Sequence, residues 1–157
     1  MIARVITCSD AASKGEREDR SGPAVRALLE ESGFFVDTVI VVADDIETIA
    51  TAIEAATGDG ANLVVTTGGT GIAPRDVTPE ATARVCERTV PGFGEVMRAT
   101  SRMGALSRAG AATRGTALIV NLPGSVNGAT ECLQAVLHLI PHALQLLSGE
   151  RVEQHPR

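Results

Sequence analysis

The chain has 157 residues, a formal net charge of −5, 44% hydrophobic and 21% charged residues. A chain of that length buries about 70% of its unfolded surface without help from a disulfide or metal, and ordinary globular usage excludes a disordered chain and a membrane protein. The acidic balance and the absence of Trp and Tyr exclude a broad nucleic-acid surface, so any anion must be held in a local pocket.

One domain over residues 1–157 is therefore expected, with a core of Val, Ile, Leu and Ala. Lys14 is the only lysine, which disfavours a lysine-centred phosphate site. Cys8, Cys86 and Cys132 are odd in number and not at CxxC spacing, the usage of reduced thiols in the cytoplasm. No stretch reads as a signal sequence or a bilayer span.

In chain order, Ile2 to Cys8 is an apolar, β-branched run that predicts a buried strand, and Ser9 to Gly15 predicts a flexible loop. A helix follows, capped by Ser21, with Pro23 in its first turn, Val25, Leu28 and Leu29 on one stripe, and Gly33 at its end. Phe34 to Val42 predicts a second buried strand. Asp44 and Asp45 precede Ile46, Ile49, Ala50 and Ile53, whose spacing predicts a helix closed by Gly58 and Gly60. Leu63 to Thr67 is a third strand. Thr78 and Pro79 open a helix to about Arg88, and another runs from Phe93 to Met103. Leu106 to Thr113 and Thr116 to Leu122 form a hairpin whose second arm is central. A long final helix turns Cys132, Leu133, Val136 and Ile140 inward and kinks at Pro141.

Alternation of strands and helices predicts right-handed crossovers and an α/β fold: a mainly parallel sheet with helices on both faces. Ligands of such sheets collect beyond the carboxyl ends of the strands. The loops at Ser9-Asp10, at Asp44-Asp45 and after Thr67 are thus expected to converge.

The segment Gly68-Gly69-Thr70-Gly71 follows a strand directly, where backbone N–H groups approach phosphate oxygens with no Cβ in the way. It is neither a dinucleotide fingerprint, since Pro74 stands where the last glycine belongs, nor a Walker loop. A tight structural turn is the alternative. Asp76 downstream and Asp44 or Asp45 on the neighbouring loop add carboxylates able to hold Mg²⁺ for phosphoryl or nucleotidyl transfer, or else to cap helices. Arg75, and Ser107-Arg108 from the hairpin region, are candidate phosphate ligands, with an ordinary surface position as the commoner alternative for each. Asp10 and Asp19 are loop acids at the same edge. His138 and His142 lack the glutamate of a zinc helix and read as structural, and Cys8 reads as a small buried hydrophobe.

The segment Thr67-Gly68-Gly69-Thr70-Gly71 with Arg75-Asp76-Val77-Thr78-Pro79-Glu80 closely resembles the Mog/MoaB family of molybdenum-cofactor biosynthesis proteins, with related domains in the plant Cnx and animal gephyrin proteins. Matching segments at Ser9-Asp10, Asp19 to Pro23, Pro91 to Arg98, Leu106 to Arg108 and Asn121 to Ser125 extend the resemblance over nearly the whole chain.

The resemblance implies a three-layer α/β/α sandwich with a mainly parallel, mixed central sheet, assembled as a homotrimer or in some members a hexamer. It implies a molybdopterin adenylyltransferase, in which the terminal phosphate of molybdopterin attacks the α-phosphorus of MgATP and pyrophosphate leaves. Asp76 matches the catalytic aspartate and Asp44 a second functional one, both also expected at Mg²⁺. Ala43 stands where the family has proline, so Asp45 stays open as the alternative to Asp44. Gly68, Gly69, Thr70 and Gly71 are implied to cradle nucleotide phosphates, and Ser9, Asp10, Ser107, Pro123, Gly124 and Ser125 to help hold nucleotide or pterin. A molybdenum-insertion protein is an expected partner. The rival readings are a non-catalytic molybdopterin or nucleotide carrier, and a nicotinamide-dependent oxidoreductase that the missing glycine disfavours.

Overall fold

The structure is a computed structural model and describes residues 1–149. Strand β1 (Ile2–Cys8) is followed by α1 (Asp10–Ser13), α2 (Ser21–Glu31), β2 (Phe35–Val42), α3 (Ile46–Gly58) and β3 (Leu63–Thr67). Helix α4 (Thr78–Val85), β4 (Arg88–Thr89), α5 (Pro91–Arg98) and a 3₁₀ turn at Arg102–Leu106 come next. Strands β5 (Gly110–Arg114) and β6 (Ala117–Leu122) then lead into α6 (Val126–Leu137) and α7 (Ile140–Ser148).

The six strands lie in the order β2-β1-β3-β6-β5-β4. The pairs β1/β2, β1/β3 and β3/β6 are parallel, and β5/β6 and β4/β5 antiparallel. The expected α/β/α sandwich with a mainly parallel, mixed sheet is what the chain forms. Side chains alternate across the pleat and divide the core in two. Ala3, Val5, Leu63, Val65, Leu118 and Val120 pack under α2, α5, α6 and α7, while Ile6, Val64 and Ile119 pack under α3 and α4.

Consecutive strands depart from β1 in opposite directions, β2 to one side and β3 to the other. The crossovers therefore diverge at the carboxyl end of β1 and leave a crevice there. At the opposite end, Met1, Asn62, Thr116 and Ser148 border one shallow groove.

Several expectations change. The segment after β1 is not a loop throughout: Ser9 accepts from the Ala12 N–H and caps α1. Ser21 is the first residue of α2 rather than its cap; Asp19 takes the Gly22 N–H at 3.0 Å instead. Strand β2 is an edge strand, not a buried one, with Phe35 exposed and Val36 buried. Helix α4 stops at Val85 because Arg88 and Thr89 are drawn into pairing with Thr113 and Ala112. The helix expected from Phe93 to Met103 ends at Arg98 and re-forms as the 3₁₀ turn. Instead of kinking, the final helix breaks after Leu137, and Pro141 sits in the first turn of α7, where its missing N–H has no intrahelical partner to lose.

Candidate functional site

The parallel strands β1, β3 and β6 run in register, Thr7 beside Thr67 and Thr67 beside Leu122, so their exit loops begin at one level. A cavity of about 610 Å³ opens there. It is bordered by Thr7, Cys8 and Ser9 after β1, Asp44 after β2, Thr67, Gly68 and Gly69 after β3, and Gly124, Ser125 and Val126 after β6. Asp76 and the α1–α2 segment Arg17 to Ser21 complete the wall.

The glycine loop is held from three sides. Gly68 has φ +101° and donates its N–H to the Leu122 carbonyl at 3.1 Å, while its own carbonyl accepts from the Thr78 hydroxyl at 2.8 Å. The Thr67 hydroxyl donates to the Pro123 carbonyl at 2.7 Å. Arg108 supports the outer turn: its backbone N–H donates to Thr70, and its guanidinium donates to the carbonyls of Gly71 at 2.8 Å and Asp76 at 2.6 Å and pairs with Glu80. An arginine that sequence offered as a candidate phosphate ligand is therefore committed to shaping the loop. Arg75 likewise engages Asp10 bidentately, with Nε and Nη2 both within 3.0 Å of the carboxylate.

Asp44 and Asp45, adjacent in sequence, point to different tasks. Asp45 is extended (φ −137°, ψ 132°) and its carboxylate accepts both the backbone N–H and the hydroxyl of Thr48, at 2.9 and 2.8 Å, capping α3. These bonds hold its carboxyl below the usual range. Asp44 lines the cavity, its Oδ1 3.2 Å from where a Cβ on Gly69 would lie. Burial pushes its carboxyl up, and the charges of Asp10 and Asp76 add to the rise. Asp44 is thus the acid that faces the crevice. Asp45→Ala is expected to lower stability through loss of the helix cap, with the chemistry of the cavity untouched; a urea titration checks the first and an activity assay the second.

Asp76 lines the cavity from the far side of the glycine loop, and its Oδ2 accepts the Ala73 N–H at 2.9 Å. A Cβ on Gly71 would lie 2.6 Å from that oxygen, so the glycine leaves room for the carboxylate. Of the other residues singled out by sequence, Ser9, Gly68, Gly69, Gly124 and Ser125 border the cavity. Asp10, Thr70, Gly71, Ser107 and Pro123 are not among its lining residues: Thr70 is buried, and the Ser107 hydroxyl accepts the Ala109 N–H. Ser125 caps α6 through the Gly128 N–H. His138 ends α6 and His142 belongs to α7, so the helix meant to carry both is interrupted. Burial raises the Cys8 thiol to about 12, which keeps it protonated although it borders the cavity.

Sequence reasoning did not single out Arg17 and Arg20, the arginines of the cavity wall. Their signal was positional: the segment between β1 and α2 must cross the strand ends before its helix can pack on the sheet. Asp19, left ambiguous by sequence, also accepts the Thr7 hydroxyl at 2.8 Å, which ties this segment to β1.

The family model described as "Probable molybdopterin binding domain" matches residues 4–142. The chain belongs to this family. Among relatives of the molybdopterin-binding family, a molybdopterin adenylyltransferase of Helicobacter pylori is 43% identical over 95% of this chain and 89% of its own length. A molybdenum cofactor biosynthesis bifunctional protein of Synechococcus elongatus is 39% identical, and the match spans 95% of this chain but 48% of that protein. The crystal structure of the molybdopterin biosynthesis enzyme MoaB of Thermus thermophilus superposes with a TM-score of 0.89 at 44% identity, covering 95% of this chain and 97% of that one. The Mog/MoaB resemblance read from the motifs is thereby borne out. Among the described residues, no helix is long and apolar enough to cross a membrane.

Proposed function

We propose that this chain acts in molybdenum cofactor biosynthesis as a molybdopterin adenylyltransferase. The observation that carries the reading is the convergence of Asp44 and Asp76 on one cavity across the Gly68-Gly69 turn. The name of this chain's relatives, molybdopterin adenylyltransferase, supports molybdopterin as the acceptor and an adenine nucleotide, which we take as ATP, as the donor.

In the reaction, an oxygen of the pterin's terminal phosphate attacks the α-phosphorus of ATP. The new P–O bond forms as the bond to the bridging α–β oxygen breaks, and pyrophosphate leaves with that electron pair. Such transfer asks the protein for alignment and for compensation of negative charge rather than covalent participation.

The donor set fits Mg²⁺. Among the described residues no group of three or more His, Cys, Asp or Glu could hold a metal, whereas Mg²⁺ in nucleotide sites typically takes one or two carboxylates and completes its shell with phosphates and water. Asp44 and Asp76 would hold it, and it would neutralise charge on the nucleotide phosphates. The Gly68 N–H is given to Leu122, so Gly69 is the loop residue at the strand exit with backbone to offer a phosphate, and Arg17 and Arg20 bring positive charge to an otherwise acidic wall. A following molybdenum-insertion step is the natural consumer of the product.

Incubation of the protein with Mg²⁺, ATP and molybdopterin is expected to yield adenylylated pterin and pyrophosphate. Tight binding of both substrates without product would instead mean a carrier.

A further inference from the structure

We propose that Asp10 and Arg75 form a positioning pair that fixes Asp44, and that neither is itself a ligand of the substrate. The proposal rests on the adenylyl-transfer reading of the cavity. Asp10 and Asp44, 34 residues apart, hold each other by two reciprocal bonds: the Asp10 N–H donates to Asp44 Oδ2 at 2.9 Å and the Asp44 N–H to Asp10 Oδ1 at 3.0 Å. This closed ring locks the exit of β2 to that of β1. It also commits one Asp44 oxygen and leaves Oδ1 against the glycine loop.

Arg75 completes the clasp from the loop after β3. Its Nε lies 2.9 Å from Asp10 Oδ2, and Nη2 lies 2.7 and 3.0 Å from the two oxygens. With the Asp44 N–H added, both Asp10 oxygens are occupied, so a substrate hydroxyl would have to displace an existing partner. Arg75 Nη2 and the Asp44 N–H share Asp10 Oδ1, so the guanidinium and the ring are joined at one oxygen. The Arg75 side chain is 67% exposed and that of Asp10 30%, and such a pair contributes little to stability. Its effect is geometric: three loops from three strands meet at one carboxylate, and the side chain they jointly orient is Asp44. A supporting residue of this kind acts on a metal site through its ligand.

The test combines three readouts on Asp10→Ala, Arg75→Ala and the double variant: hydrogen exchange of the Asp44 amide, binding of Mn²⁺ alone followed by water relaxation, and steady-state kinetics. Asp10→Ala is expected to expose the Asp44 amide to exchange, to weaken Mn²⁺ binding about 10- to 100-fold, and to lower kcat with the KM for ATP nearly unchanged. Arg75→Ala should give the same pattern more weakly, and should add nothing in the Asp10→Ala background.

A raised KM for ATP in Arg75→Ala, additive with Asp10→Ala, would make Arg75 a phosphate ligand and overturn the proposal. Unchanged Asp44 exchange and Mn²⁺ affinity in Asp10→Ala would overturn it equally. Should Asp10→Ala not fold, Asp10→Asn keeps an acceptor for the Asp44 N–H while losing the charge that draws Arg75, and the same readouts apply. Exchange and Mn²⁺ binding need no turnover, so a wild-type protein without adenylylation sinks the reaction while leaving this proposal tested.

Discussion

Replacing Asp44 or Asp76 by Asn is expected to lower formation of adenylylated pterin about a hundredfold or more, with the fold intact. Each substitution keeps size and an acceptor oxygen but removes a charge from the cavity, where charge compensation dominates transfer chemistry. The two variants together should cost little more than either alone, because groups that hold one assembly are not additive.

Stability separates this outcome from simple damage. Burial and the nearby Asp10 and Asp76 charges raise the Asp44 carboxyl, so its ionised form is held at the expense of the folded state near neutral pH, an expense relieved as pH falls through the raised value. Asp44→Asn should therefore leave the urea midpoint at neutral pH unchanged or higher while activity collapses. Retained activity, or a loss of stability beyond about 1 kcal/mol, would remove Asp44 from the mechanism.

Gly68→Ala is expected to destabilise the protein by about 3 kcal/mol or more, through two causes that act together. The residue has φ +101°, outside the range open to L side chains at low cost. A Cβ there would also lie 2.2 Å from the Cys8 carbonyl oxygen, a backbone atom that cannot swing aside. The opposite flank is closed as well, since the Cβ position of Gly124 is 3.1 Å from the Gly68 Cα. Three strand exits thus approach backbone to backbone at one glycine. Gly33 is the control: it has φ +85° but nothing within 4 Å of its Cβ position, so Ala there should cost only about 1 kcal/mol. Equal losses for both variants in urea titrations would refute the packing argument.

The contrast explains what a single sequence disclosed. Strands β1, β3 and β6 were legible because nearly all their residues are buried and their runs are mainly apolar and β-branched. Strand β4 was not: two exposed residues, Arg88 and Thr89, carry no pattern, and only pairing with β5 defines them. Strand β2 has the same apolar character as β1, yet its place at the edge depends on the direction of two crossovers. At the site, the glycine loop and Asp76 were visible as a contiguous motif. Which of Asp44 and Asp45 faces the crevice was not, because both stand before a helix; only the folded backbone, which turns one side chain to α3 and the other to the crevice, shows it. For Arg75 and Arg108, charge alone suggested either a phosphate ligand or an ordinary surface residue. Their actual partners, a carboxylate 65 residues away for Arg75 and loop carbonyls more than 30 residues away for Arg108, lie beyond local pattern.

The groove bordered by Met1 and Ser148 lies at the amino end of the central strands, whereas the cavity lies at their carboxyl end. Substitutions at Asn62 or Thr116, which border that groove, are therefore made on the side of the sheet remote from the mouth of the crevice.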